Sequence, residues 1–323
     1  MQQNMRYVYE IYRQQSFSKA AEALFMTQPA LSIAIAKLEA EIGMPLFDRS
    51  TRPISLTPAG RIYLDAIEQT NYLEQDLRQR LNDIRQLNTG EVTIGSSHYL
   101  NAYILPPVLT GFQQQFPKIQ FHLSEGSSYT MAQQLKRREI DLTFSCDDDI
   151  IKAFDSWPLF TDTILLAVPQ SFPVNQHFKA QALTAKDISA CRHLAPDCPE
   201  VPLAGFCQEP LIVLHEGNNL RQRVVDFFHQ AGIEPKIKLE LAQMATAYHL
   251  AEAGFAATFL SDRLIVHPHS SLCFYRLAGM DSKRTFHVLT SPQRYLSRAV
   301  QKLIQYCRIH LHRQDKKRYL SCP

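Results

Sequence analysis

Residues 16–39 read SFSKAAEALFMTQPALSIAIAKLE, and this stretch decides the architecture of the N-terminal part of the chain. Two apolar-patterned segments flank a break filled by Phe25 and Met26. Ser18 is placed to cap the first, whose Ala20, Ala21 and Leu24 form a narrow face that another helix can approach closely. Thr27 caps the second. Pro29 falls in its first turn, where a missing N–H removes only a donor that has no helical partner. Leu31, Ile35, Leu38 and Ile42 then recur at four, three and four residues as one inward stripe, and Gly43 followed by Pro45 ends the helix. Gln28, Ser32, Ile33, Ala36 and Lys37 are left on the outside or flanks, where dense charge is usual. Upstream, Met5, Val8, Tyr9 and Tyr12 repeat at helical spacing and predict a first helix.

A short helix bracing a second that presents an amide and a small hydroxyl is the helix-turn-helix arrangement, whose second helix enters the major groove of DNA. Gln suits adenine there, and Ser suits several bases. The following LFDRSTRPISLT carries Arg49 and Arg52 in a turn before alternating Ile54, Ser55 and Leu56. That pattern predicts a β-wing able to set an arginine on phosphate or in a narrow minor groove. Thr57 and Pro58 open a further helix. Along it Tyr63, Ala66, Thr70, Leu73, Leu77, Leu81, Ile84 and Leu87 repeat near 3.5 residues, with Arg78, Arg80, Asp83 and Arg85 outside the stripe. A linker helix over 59–89 that packs against a second copy of the chain follows from this period.

The chain has 323 residues, 45% of them hydrophobic, enough for two or three folded units. Its formal net charge of +3 means that any nucleic-acid binding must come from a local surface. Seven cysteines without CxxC spacing argue against a disulfide framework. The first residues lack a signal-peptide pattern and no run reaches the roughly 18 apolar residues of a membrane span, so the expectation is a cytoplasmic protein without membrane attachment. GxSxG, GxxxxGK[ST], HExxH and GxGxxG do not occur, so no enzyme chemistry and no cofactor is expected. The pairs His267, His269 and His310, His312 lack the spacing or third ligand of a metal site.

From Gly90 the pattern alternates strand and helix. Strands are expected at 91–95, 119–124, 140–145, 164–168, 211–214, 236–241 and 255–260, and helices at 129–138, 221–230 and 245–252, among others. Such alternation implies mostly parallel sheets in two subdomains with a cleft between them. Ligands of open α/β folds sit beyond the C-terminal ends of strands, where loops and helix N-termini offer free N–H groups. Ser96 and Ser97, Ser127 and Ser128, and Asn218 and Asn219 occupy three such places, and a small polar or anionic ligand suits them. The 170–209 stretch, rich in Pro, Ala and Cys, reads as surface loop with some short structure.

The segment FSKAAEALFMTQPALSIAIAKLEAEIGMPLFDRSTRPISLTPAG closely resembles the N-terminal signature of LysR-type transcriptional regulators. EVTIGSSHYLNAYILPPVLTGFQQQFPKIQF, EIDLTF, ILLAVP, PLIVLHEGNNLRQRVVDFFHQAGI and HLAEAGFAATFLS resemble that family's effector domain, so the likeness spans most of the chain. It implies an α/β chain with an all-α winged helix-turn-helix over 1–58, a linker helix over 59–89 and a two-lobed, periplasmic-binding-protein-like effector domain over 90–310. The lobes are expected at about 90–162 plus 266–310 and at 163–265, with a basic, solvated tail at 311–323.

By the same resemblance Gln28, Pro29 and Ser32 read the groove, Arg52 lies on the wing, and Ser97, Ser128 and Asn219 contact the effector. Ile33 stands where the family often has Arg or another polar residue, and Lys37 suits phosphate positioning. The implied partners are double-stranded promoter DNA, a small-molecule effector, the chain itself as dimer or tetramer, and RNA polymerase if the protein activates. Two other readings compete: a thiol-sensing regulator using Cys198 and Cys207, and an enzyme or solute binder built on the α/β half. Peroxide-sensing relatives carry their reactive Cys in the loop that here reads Gly217-Asn218-Asn219.

Overall fold

The computed structural model describes residues 3–85, 90–292 and 294–320, in two compact units divided at residues 85 and 86. Unit 1 contains α1 (Gln3–Gln14), α2 (Phe17–Ala23), α3 (Gln28–Ile42), β1 (Phe47–Asp48), β2 (Ser55–Leu56) and α4 (Pro58–Arg85). Ser16, not Ser18, caps α2, its side chain accepting from the Lys19 N–H, because Phe17 must start the helix to bury its ring. Thr27 caps α3 and Gly43 closes it in the left-handed region at φ +80°. The stripe of α3 turns inward at Leu31, Ile35 and Leu38, whereas Ile42 emerges beside the C-cap and stays exposed. Phe25 does not fill the break. It stands in solvent at φ +56°, and Met26 packs on the core instead.

That core joins Val8, Ile11, Phe17, Ala20, Leu31, Ile35, Leu46 and Ile67. The start of α4 therefore belongs to it, through Ile67 with Ala59 and Tyr63 packed beside it, while Leu73, Leu77, Leu81 and Ile84 remain exposed. Leu87 and the last residues of the expected linker, 86–89, lie outside the described residues. The hairpin of β1 and β2 is held from α3, since Glu39 Oε1 accepts the backbone N–H groups of Leu46 at 2.8 Å and Phe47 at 3.3 Å. Glu39→Ala leaves both donors without that acceptor. It should lower the stability of unit 1 by roughly 1–3 kcal/mol, read as an earlier first transition when the full chain is unfolded in urea.

Unit 2 begins with β3 (Gly90–Ser96), α5 (His98–Tyr103), α6 (Leu105–Gln115), β4 (Ile119–Glu125), α7 (Ser128–Lys136), β5 (Thr143–Ser145) and α8 (Asp148–Lys152). The long β6 (Asp155–Pro169) leads to α9 (Val174–His177), α10 (Ala185–Ser189), β7 (Glu200–Val201), β8 (Leu211–Leu214), α11 (Asn219–Gln230) and β9 (Ile237–Leu241). Then come α12 (Met244–Glu252), β10 (Ala257–Ser261), β11 (Leu272–Leu277), β12 (Lys283–Thr290) and α13 (Arg298–Leu320). The sheet is mixed where mostly parallel pairing was expected. β3 and β4, β8 and β9, and β8 and β10 are parallel, but β6 runs antiparallel to β10, β11 and β12.

β6 is the strand that crosses between lobes. Residues 155–163 pair with β12 in the first lobe, and 164–169 pair with β10 and β11 in the second. Strand β11 thus belongs to the second lobe, which corrects the expected assignment of all of 266–310 to the first. The 170–209 stretch has the expected short elements but is not surface loop: Leu183 bridges to Phe274 of β11, and Ile188, Val201, Leu203 and Phe206 are buried in the main core.

The expected solvated tail is corrected as far as Leu320, while 321–323 lie outside the described residues. α13 runs on to Leu320, the Asp315 carboxylate accepts the Thr161 N–H at 2.9 Å and pairs with Arg263, and Arg318 donates to Asp262 at 3.0 Å. Asp262 also accepts from the Thr163 N–H and the buried His193 ring. Burial alone would raise this carboxyl, but the His193 hydrogen bond and the Arg318 charge hold it below its ordinary range.

Candidate functional site

Two places carry the residues singled out from sequence. In unit 1, Gln28, Pro29, Ala30, Ile33, Ala36 and Lys37 are exposed on α3, and Ser32 is half-buried among them. Gln28 Nε2 donates to Ser32 Oγ at 2.9 Å across one helical turn, which fixes the amide at the start of this face. Arg52 is exposed at the tip of the β1–β2 hairpin. Arg49 has other contacts: its guanidinium lies 3.2 Å from the Glu39 carboxylate and 4.8 Å from the centre of the Phe17 ring. Arg49 therefore ties the wing to α2 and α3.

In unit 2, a cavity of about 350 Å³ is bordered by Ser97, Ser127, Ser128, Asn218 and Asn219, five of the six residues picked for it. Ser96 is the exception. It ends β3 with its side chain turned inward, fully buried, and only its carbonyl reaches the next loop, accepting the Gly126 N–H. Ser127 caps α7 by accepting from the Thr130 N–H, and Asn218 caps α11 by accepting from the Leu220 N–H. Gln243 begins α12 with no side-chain cap bond and lines the same cavity. The N-termini of α7, α11 and α12 therefore border it, together with that of the shorter α5 at Ser97, each with partial positive charge from N–H groups that have no partner within the helix.

The floor was not foreseen from sequence. Arg284 of β12 lies there, 3% exposed, with its Nε and Nη2 on the two carboxylate oxygens of Asp162. Burial opposes its charge, but Asp162 outweighs burial and holds the guanidinium above its ordinary range. The Tyr99 hydroxyl is 2.8 Å from Ser261 Oγ and 3.4 Å from Asp162, so residues of both lobes meet around this ion pair. Cys146 also lines the cavity, its Sγ donating to Asn219 Oδ1 at 3.2 Å.

Burial pushes the Cys146 thiol up to about 11 from its ordinary 9.0. The neutral form is therefore favoured in the fold, a contribution present below pH 9 and lost as pH rises through 11. At pH 8 iodoacetamide should modify Cys146 about a hundredfold more slowly in the folded chain than in urea, as measured by peptide mass.

Residues 85–311 match the family described as "LysR substrate binding domain", and residues 2–61 match "Bacterial regulatory helix-turn-helix protein, lysR family". The chain belongs to the LysR family. It is 29% identical over 304 residues to the uncharacterized HTH-type transcriptional regulator YcgK of Bacillus subtilis, covering 94% of this chain and 93% of that protein. It is 27% identical over 293 residues to a probable RuBisCO transcriptional regulator of Cyanidioschyzon merolae, covering 88% and 89%. Among solved structures, full-length CbnR complexed with its target DNA has a TM-score of 0.62 at 19% identity, covering 97% of this chain and 99% of that one. The effector-binding domain of QuiR in complex with shikimate has a TM-score of 0.56 at 13% identity, covering 70% and 98%. These two show likeness of fold.

As a LysR-family member the chain is a transcriptional regulator with an effector-binding domain, not an enzyme. Cys198, one of the pair considered for thiol sensing, is buried and its thiol is raised above its ordinary range by that burial, the reverse of what an oxidation switch needs. Among the described residues no helix is long and apolar enough to cross a membrane, and no group of three ligating side chains is placed to hold a metal.

Proposed function

We propose that this LysR-family regulator acts in the cytoplasm as a homodimer or as a tetramer made of two such dimers, reads promoter DNA with α3 and the wing, and responds to a small polar or anionic effector in the cleft of unit 2. One observation carries the effector site: the N-termini of α7, α11 and α12 and the buried Arg284 border a single cavity of about 350 Å³. Anionic groups are favoured at helix N-termini, and this volume is within the range of small-ligand pockets, about 300–1,000 Å³. The lobes are joined through β6 and through the turn after β10, where Asp262 holds Thr163, His193 and Arg318. A ligand that prefers one lobe arrangement shifts that equilibrium, and only this differential affinity can alter operator binding. Pairing rests on the exposed Leu73, Leu77, Leu81 and Ile84 of α4. An activating form also meets RNA polymerase at the promoter.

The test is a thermal-shift screen of small carboxylates and polar metabolites on the full chain, repeated with Asn219→Leu, which fills the cleft mouth. A compound that raises the wild-type Tm by several degrees, loses that effect in the variant and changes the operator footprint supports the site. Hits that bind both proteins equally place the effector elsewhere.

A further inference from the structure

Single apolar side chains in solvent are ordinary, but Ile33, 70% exposed, is surrounded on the outer face of α3 by the exposed Pro29, Ala30 and Ala36. These residues add nothing to the unit's own core, which Leu31, Ile35 and Leu38 supply from the opposite side of the helix. Pro29, Ile33 and Lys37 are four residues apart and form one row. Gln28 and Ser32 lie alongside as a hydrogen-bonded pair.

Residues 28–36 contain no Arg, Lys, Asp or Glu. The first turns of the helix therefore lack the paired donors that recognise guanine and the carboxylate that accepts from cytosine. What this face offers is an amide, which suits adenine, and a β-branched apolar surface, whose counterpart in the major groove is the 5-methyl group of thymine. Lys37 and Arg52, exposed on the third turn and on the wing, supply positive charge for the phosphates beside it.

We propose that Ile33 is a specificity-determining residue that packs on a thymine methyl, so that each half-site carries A·T pairs beneath the first two turns of α3. The inference rests on the reading of α3 as the DNA-contacting helix. Its test uses the operator selected by the full-length chain, synthesised with deoxyuridine replacing one thymine at a time, so that only a methyl group is lost. Binding is compared for wild type and for Ile33→Ala, a surface change whose folding is checked by Tm. At one position per half-site, deoxyuridine should weaken wild-type binding about fourfold, the worth of one buried methyl, and leave Ile33→Ala unchanged. No sensitive position, or the same loss in both proteins, overturns the role of Ile33 while leaving operator binding intact. Failure to select any operator overturns the reading of α3 as well.

Discussion

Asp162→Ala is expected to lower the stability of unit 2 by about 3–5 kcal/mol, because it strands a buried cation. Arg284 and Asp162 are 3% and 1% exposed, and both guanidinium bonds go to this one carboxylate. Arginine keeps its proton in proteins, so the side chain cannot escape by becoming neutral once Asp162 is gone. The pair itself contributes less than its loss would cost, since burying both charges consumes most of their attraction. The double variant Asp162→Leu with Arg284→Met should therefore regain most of the stability in urea unfolding, yet present an apolar cleft floor that no longer suits a polar effector. Equal instability of the single and double variants would show that the pair is not what sets the cost.

Leu77→Glu together with Leu81→Glu is expected to raise the dimer dissociation constant by on the order of a thousandfold or more, since each dimer then loses four buried leucines and gains carboxylates in the seam. Leu77 and Leu81 are 57% and 49% exposed and lie beyond the part of α4 that Tyr63 and Ile67 anchor in the unit 1 core. The fold of unit 1 should consequently survive, with an unchanged Tm for its transition. Sedimentation equilibrium reads the dissociation, and operator affinity should fall with it, because a single reading head loses the second half-site. A variant that stays dimeric would place the pairing surface elsewhere.

The N-terminal unit was legible because its signals are local. Thr27, Pro29 and Gly43 mark the ends of α3, a helix of 15 residues, and Leu31, Ile35 and Leu38 mark its buried side. The loops bordering the cleft were legible for a related reason: Ser127 and Asn218 are helix caps that follow strands. What escaped depends on distant partners. In β12 the inward positions include Arg284 and Phe286, so the residue that forms the cleft floor also breaks the alternation that would have revealed the strand. Its partner Asp162 lies 122 residues away. The end of α13 read as a charged tail, since Asp315 and Arg318 find Arg263 and Asp262 only across more than fifty residues of intervening chain. The contacts of Arg49 with Glu39 and Phe17 likewise join residues of separate elements and leave no mark in the local pattern.

The central claim is that α3 and the wing read a defined DNA site. It is tested most directly by selecting genomic fragments with the purified full-length chain at moderate salt, beside Ser32→Ala and Arg52→Ala. Recovery of one inverted-repeat site, bound more weakly by both variants and increasingly weakly as salt rises, is the predicted result. Recovery of background alone, or of the same site with undiminished affinity in both variants, would contradict it.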